Sequence, residues 1–330
     1  MPQTLYIEQA LAEHPRALSI RRRFPKARVV YCQRYGEVFN PKAQNFRLQK
    51  QNPALILAEK KQNWVSPAPA GYGVGGEDNY YFSHMLNCLY DCRYCFLQGM
   101  YQSANYVLFV NYEDFQQQIR DICAERPERQ LYFFSGYDGD SLAYEAVSGF
   151  AAAFLPFFED LPNAWLELRT KSVQIRGLLA RPPHPRCVAA FSLAPEAVAA
   201  HVEALAPPPR KRLEAARKLQ QAGWPIGLRF DPLIYVQDYR KLYAALFAET
   251  FALINPERVH SVSLGGFRLP EPFFKKMYKL YPDAKLFASP LHTAAGMVSY
   301  RRDLEQAMLA DCLEMLAQYL PAERIFPCQP

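Results

Sequence analysis

The chain has 330 residues, carries 38 Lys and Arg against 32 Asp and Glu for a formal charge of +6, and is 50% hydrophobic and 21% charged. That balance excludes disordered and collagen-like chains, and no apolar run approaches the roughly 18 residues of a membrane span. The opening MPQTLYIEQALAEHPRALSIRRR lacks the uninterrupted apolar core of a secretory signal, so a cytoplasmic location with no membrane partner is expected.

Residues 1–75 read as an N-terminal extension, with a basic run (Arg21, Arg22, Arg23, Lys26, Arg28), an apolar stretch PALILAEKK and the Pro/Gly-rich connector VSPAPAGYGVGG. Over 76–281, β-branched and aromatic runs alternate with amphipathic helical patterns, which predicts an α/β fold with a parallel sheet covered by helices. Strands are predicted at YYFSHMLN, 131–137, 164–171, 187–194, 225–234 and 258–267. Helices are predicted at 112–125, opening at Asn111 with Glu113 and Asp114 in the first turn, and at 142–158, VQIRGLLA (173–180), 209–222, 239–253 and 271–280. Six βα units are two short of a closed eight-stranded barrel, so the expected architecture is an open, partial (β/α)6 barrel. Residues 282–330 read as a C-terminal hairpin and helix extension. Ligands of such sheets collect at the C-terminal ends of the strands, and the candidate site residues are drawn from there.

Of eight cysteines, Cys32, Cys123, Cys187, Cys312 and Cys328 are scattered, whereas Cys88, Cys92 and Cys95 sit together in NCLYDCRYCFLQ. Three thiolates in a loop of eight residues can serve one soft metal centre and leave a coordination position open. A [4Fe-4S] cluster whose unique iron takes a substrate or cofactor fits this pattern; a zinc knuckle with a distant fourth ligand is the alternative.

Cys88-x3-Cys92-x2-Cys95, with Tyr94 inside the last pair, resembles the cluster motif of the radical S-adenosylmethionine superfamily, whose usual fold is a partial (β/α)6 barrel. The string CRYCFLQ, followed by 106–110 and the helix start at Asn111-Tyr112, is similar to the spore photoproduct lyase family. LYIEQAL, RLEAARKLQQAGWPIGLRFDPLIY, YPDAKLF and SYRRDLEQAMLADCLEMLAQYLP resemble it too, so the likeness spans nearly the whole chain. The resemblance implies a [4Fe-4S] cluster on the three cysteines and S-adenosyl-L-methionine as cofactor. It implies further a 5′-deoxyadenosyl radical that abstracts hydrogen from a thymine lesion in DNA or a related nucleic acid, and an electron donor such as a flavodoxin or ferredoxin. Two other readings stand beside it: a radical enzyme with a non-DNA substrate, and a non-catalytic metal-binding module associated with DNA.

Under the same resemblance Lys171, closing the third strand, would meet the cofactor carboxylate; the plain reading is a solvent-exposed strand cap. Ser192, in FSLAP, is placed for ribose or carboxylate hydrogen bonding, or else satisfies local backbone. Tyr94 and Phe96 would pack on the adenine side. Ser135 and Gly136 open SGYDGD, where the superfamily has a Gly-rich turn for the cofactor's amino group, and Asp138 or Asp140 offers charge there; an ordinary Asx turn is the alternative. The backbone of SLGGF (263–267) would approach adenine.

Three departures from the lyase pattern stand out. The family's hydrogen-returning cysteine after strand two is absent from FFSGYDGDSLA, where Tyr137 or Gly136 falls near its place, which makes Tyr137 the candidate catalytic residue. Phe96 also replaces a tyrosine, and Cys187, at the far end of strand four, is a poor substitute donor. The family's basic, aromatic DNA-entering hairpin corresponds here to the shorter SPLHTAAGMVSYRR with Tyr300, Arg301 and Arg302. Residues 21–28, Arg210-Lys211-Arg212, Lys275-Lys276 and Arg301-Arg302 would form a phosphate track if they shared a face.

Overall fold

A computed structural model describes residues 2–39, 44–69, 71–76 and 78–328. Six parallel strands, β1 (Asp78–Phe82), β2 (Leu131–Ser135), β3 (Ala164–Thr170), β4 (Cys187–Ser192), β5 (Ile226–Leu233) and β6 (Val259–Gly266), pair in chain order. Val65–Pro67 adds antiparallel to β1, and Ile325–Pro327 adds parallel to β6. Residues of both edge strands line one cavity of about 680 Å³, so the sheet curls until its open edges face each other. A Cβ on Gly75 would stand 3.3 Å from the Phe326 ring, which shows how closely the connector and the C-terminal strand approach. The expected partial barrel is the fold found.

Alternation decides what faces the helices. Phe133, Leu166, Leu168, Phe191, Leu228, Phe230, Val262 and Leu264 are fully buried in one continuous core with the covering helices. The opposite faces enclose a polar interior. Tyr132 stacks on Trp165 at 5.4 Å and its hydroxyl meets His260 Nε2 at 3.2 Å. One layer up, Glu167 forks onto Arg229 at 2.6 and 3.1 Å, and Arg229 also donates to the Ser261 carbonyl and hydroxyl. Burial opposes the Glu167 charge, but Arg229 and Arg169 outweigh it and hold the carboxyl down at about 2.

Helices Tyr112–Glu125, Pro209–Gln221, Tyr239–Leu253 and Glu271–Leu280 stand where the sequence places them. Helix 112–125 starts after Asn111, yet the Asn111 side chain does not cap it. Asn111 Oδ1 instead accepts from the Lys60 amide at 2.9 Å and Nδ2 donates to the Lys60 carbonyl at 2.8 Å. The single helix expected over 142–158 is split into Glu145–Ser148 and Phe150–Glu159 by Gly149, whose φ of +58° ends the first segment in the left-handed region.

Residues before the barrel, joined by two strands that flank the cysteine loop, build a second sheet. Parallel strands Arg28–Cys32, Thr4–Glu8, Leu55–Ala58 and Tyr106–Phe109 lie side by side, with Met85–Leu86 antiparallel at the end. The apolar PALILAEKK stretch is its centre, buried at every strand position. Because Met85–Leu86 precedes the cysteine loop and Tyr106–Phe109 follows it, this sheet grips both ends of that loop. At the C-terminus, Leu291–Ala294 and Met297–Tyr300 form the expected hairpin through Ala295 and Gly296, at φ +47° and +76°. Among the described residues no helix is long and apolar enough to cross a membrane.

Candidate active site

The cysteine loop leaves the C-terminal end of β1. Asn87 and Asp91 turn it at positive φ, and Asn87 Nδ2 donates to the carbonyls of Ser103 and Asn105 at 2.8 and 2.7 Å, tying the loop's start to its end. The Tyr90 amide points at Cys88 Sγ at 3.5 Å, and the Cys95 amide donates to the Cys92 carbonyl at 3.1 Å. All three cysteines belong to one small packed cluster with Tyr90, Tyr94 and Ala143.

Burial pushes the Cys88 and Cys95 thiols up and Cys92 to about 12, so a cationic centre is needed to hold them as thiolates. Among the described residues no three His, Cys, Asp or Glu side chains gather as they would around one ion. Three thiols on one loop, with no histidine or carboxylate gathered among them, are the donor chemistry of a [4Fe-4S] cluster.

Beside the loop stands a carboxylate that sequence reasoning missed. Glu203 is buried; its Oε1 accepts from Tyr94 Oη and its Oε2 from Arg212 Nη2, and Lys171 Nζ lies 3.9 Å away. Arg212, fully buried, also donates to the Pro207 carbonyl at 2.7 Å and the Ser192 carbonyl at 3.0 Å. Lys171 sits over the Tyr94 ring at 5.3 Å. Burial works against its charge, but Cys92 and Glu203 raise it, so Lys171 is a cation here rather than a solvated strand cap. The Arg93 amide donates to the Val202 carbonyl at 2.7 Å, fastening the loop to this segment. Tyr94, Lys171 and Ser192 therefore meet at the strand ends next to the thiols. Ser192 itself is buried, with its carbonyl committed to Arg212.

The turn after β2 is stitched by Asp140. Its Oδ1 accepts from Thr170 Oγ1 at 2.6 Å and from the Leu142 and Ala143 amides, and its Oδ2 accepts from the Lys171 amide at 2.7 Å. Those bonds make Asp140 a positioning residue for Lys171. Ser135 Oγ bonds the Glu167 carbonyl and Ser141 Oγ, both at 2.7 Å, so its hydroxyl is engaged within the barrel. Gly136 has φ +82°, and a Cβ there would stand 2.8 Å from the Ser141 amide nitrogen. Asp138 is raised by burial; Ser83, Lys60 and Tyr101 pull the other way. Tyr137 is 42% exposed and its ring lies 4.4 Å from Tyr81 and 5.5 Å from Phe96. Burial and the neighbouring Tyr81, Asp138 and Tyr72 push its phenol up to about 12, so it keeps its proton.

Two expectations fail. Arg212, grouped by sequence with a basic surface run, is buried under Glu203 and cannot join a phosphate track. Tyr300 is fully buried, with its Oη accepting from the Tyr235 amide at 2.8 Å, so it is not presented by the hairpin. The pairing of Glu203 with Arg212 carries no local sequence signal beyond a lone acid before PPPRKR.

The model of the spore photoproduct lyase family matches residues 77–293. The chain belongs to this family. Membership makes it an enzyme of the radical S-adenosylmethionine lyase class. Spore photoproduct lyase of Bacillus subtilis (strain 168) is 24% identical over 294 residues, covering 87% of this chain and 84% of that one. The Geobacillus sp. (strain Y412MC61) lyase is 24% identical over 202 residues, covering 60% and 59%. Among solved structures, a doubly substituted spore photoproduct lyase with bound AdoMet and dinucleoside spore photoproduct superposes with a TM-score of 0.86 at 18% identity, over 100% of this chain and 98% of that one. At that identity the superposition speaks for the fold.

Proposed function

We propose that this lyase-family enzyme repairs a thymine lesion in DNA, with a [4Fe-4S] cluster held by Cys88, Cys92 and Cys95 and with S-adenosyl-L-methionine bound across the adjoining strand ends. The observation that carries the reading is the meeting of the three-cysteine loop with Tyr94, Lys171 and Glu203 at the C-terminal mouth of the barrel. When bound, cluster and cofactor together supply a 5′-deoxyadenosyl radical.

The chain's own residues do the rest. Lys171 offers an ammonium to the cofactor carboxylate, oriented by Glu203 on one side and by its Asp140-anchored backbone on the other. Tyr94, held by Glu203, and Phe96 give flat apolar surface for the nucleoside. Gly136 keeps the turn open to close approach. Tyr137, beside Phe96 with its O–H intact, falls in the sequence near the place of the family's thiol and is proposed as the hydrogen donor that quenches the product radical. Repair in the cytoplasm, with electrons drawn from a flavodoxin or ferredoxin, completes the proposal.

Anaerobic reconstitution tests it. The expected result is iron and sulfide bound in cluster stoichiometry, 5′-deoxyadenosine released under reductant, and a dinucleoside spore photoproduct converted to two thymidines. Zinc in place of iron would overturn the cluster assignment; 5′-deoxyadenosine without thymidine would overturn the substrate.

A further inference from the structure

Two arginines of the barrel interior are left with charge that the fold does not neutralise. Alternation along β3 turns Trp165, Glu167 and Arg169 inward, while Leu166 and Leu168 join the core beneath the helices. Glu167 is fully buried against Arg229. The Arg169 side chain, joined to Glu167 through Nε at 3.1 Å, stays 36% exposed, and its Nη nitrogens make no hydrogen bond among the described residues. Arg268 follows β6 at the foot of the hairpin, where Arg268–Pro270 pairs antiparallel with Met297–Tyr300. Its Nη2 donates to the Cys328 carbonyl at 3.2 Å, and its guanidinium stands 5.4 Å over the Tyr72 ring.

Cys328 marks where the two meet. Ser261, Ser263 and Gly265 form the inward face of β6, since Val262 and Leu264 belong to the core. A Cβ on Gly265 would lie 2.9 Å from Cys328 Cβ and 3.5 Å from Arg268 Nη2, so Cys328 is packed into the interior beside Arg268. Burial and Asp231 push its thiol up to about 12, while Arg169, Arg268 and Arg229 pull it down, so all three guanidinium groups surround one sulfur. Charge does not balance there. Arg169, Arg229 and Arg268 face Glu167 and Asp231, His260 is kept neutral by burial, and the thiol keeps its proton, which leaves one cation over among the described residues. Ser263 Oγ, buried in the same lining, has no hydrogen-bond partner. An uncompensated guanidinium in a part-buried interior calls for an anion, and phosphate matches its planar fork.

We infer that Arg169 and Arg268 grip the phosphodiester that joins the two thymidines of the lesion. The inference rests on the thymine-lesion reading above and adds to it a preference for the dinucleotide over the dinucleoside. The two guanidinium groups come from strands that are not neighbours in the sheet, so an anion held between them is fixed from both sides. No bond is made or broken at phosphorus; the contact orients the lesion within the barrel.

The test is calorimetry on the full-length reconstituted enzyme with S-adenosyl-L-methionine and no reductant, so that nothing turns over. Three ligands are compared: the dinucleoside spore photoproduct, the dinucleotide with its bridging phosphate, and a dinucleoside carrying a terminal phosphate alone. The wild type is expected to bind the dinucleotide about a hundredfold tighter than either of the others, at about tenfold for each charged contact. R268Q and R169Q should each cut that preference by about tenfold, and R268K, which keeps the charge, by less. A wild type that binds dinucleotide and dinucleoside alike overturns the inference. Variants that weaken both ligands equally overturn it too, because a merely structural role leaves their ratio untouched. A terminal phosphate that gives the full gain overturns the assignment to the bridge. An enzyme that binds none of the three sinks the substrate reading itself, a separate result.

Discussion

Glu203→Ala is the sharpest probe of the site. The carboxylate and Arg212 are each 1% exposed, and the other bonds of Arg212 go to the neutral Pro207 and Ser192 carbonyls, so losing Glu203 leaves a buried charge without its counter-ion. Removing one partner of a buried pair costs about 3–5 kcal/mol, because the surviving charge stays buried and uncompensated. For a chain of 330 residues, at about 1.5 °C per kcal/mol, the expected fall in Tm is on the order of 5 °C by differential scanning calorimetry. Tyr94 loses its acceptor and Lys171 a counter-charge in the same step, so cluster uptake in reconstitution should fall too. Glu203→Gln keeps an oxygen for Tyr94 but removes the charge, and should cost less than Glu203→Ala. The double variant Glu203→Ala/Arg212→Met removes the stranded guanidinium and should recover more than half of the lost stability. A Glu203→Ala protein within about 1 kcal/mol of wild type, or a double variant no better than the single, would refute a hub held by charge.

Other expectations are independent of that pair. Alanine at Cys88, Cys92 or Cys95 should abolish iron and sulfide retention while leaving the circular dichroism of the apoprotein unchanged. Tyr137→Phe should still release 5′-deoxyadenosine but shift the outcome from repaired thymidine to trapped by-products, read by mass spectrometry; normal repair would dismiss the tyrosine as donor. Gly136→Ala combines a left-handed φ with a 2.8 Å contact and should cost about 1–3 kcal/mol in denaturant titration. His84 stacks on Phe150 at 3.9 Å with both ring nitrogens unpartnered, and burial lowers it to about 3. With its folded pKa below the unfolded value near 6.5, the unfolded chain binds the extra proton, so stability falls as pH drops through 6.5 towards 3. His84→Leu should flatten that slope in urea titrations between those limits.

Five of the barrel strands and four of the long helices were legible because each carries its own period, two for strands and near 3.6 for amphipathic helices; the first strand, expected over 80–87, ends at Phe82, and Met85–Leu86 turns into the other sheet. The cysteine triplet was legible because its three ligands are neighbours in the chain. The break at Gly149 was within reach, since a glycine inside a helical pattern is a known stop. The second sheet was not, because Tyr106–Phe109 pairs with Leu55–Ala58 across some fifty residues and no local pattern announces a partner so far away.

Charge was the least readable property. Arg212 belongs to a basic run and looks solvated, yet the fold turns it inward onto Glu203; Lys211, its neighbour, is exposed. Sequence alone determined the sheet, its covering helices and the loop chemistry, since those depend on spacing along the chain. Only the tertiary structure decided which charges are buried and paired, that Ser135 and Asp140 hold the turn together, and that Tyr137 stands beside Phe96. Burial depends on the packing of segments distant in sequence, and it is burial that sets the worth of a charge.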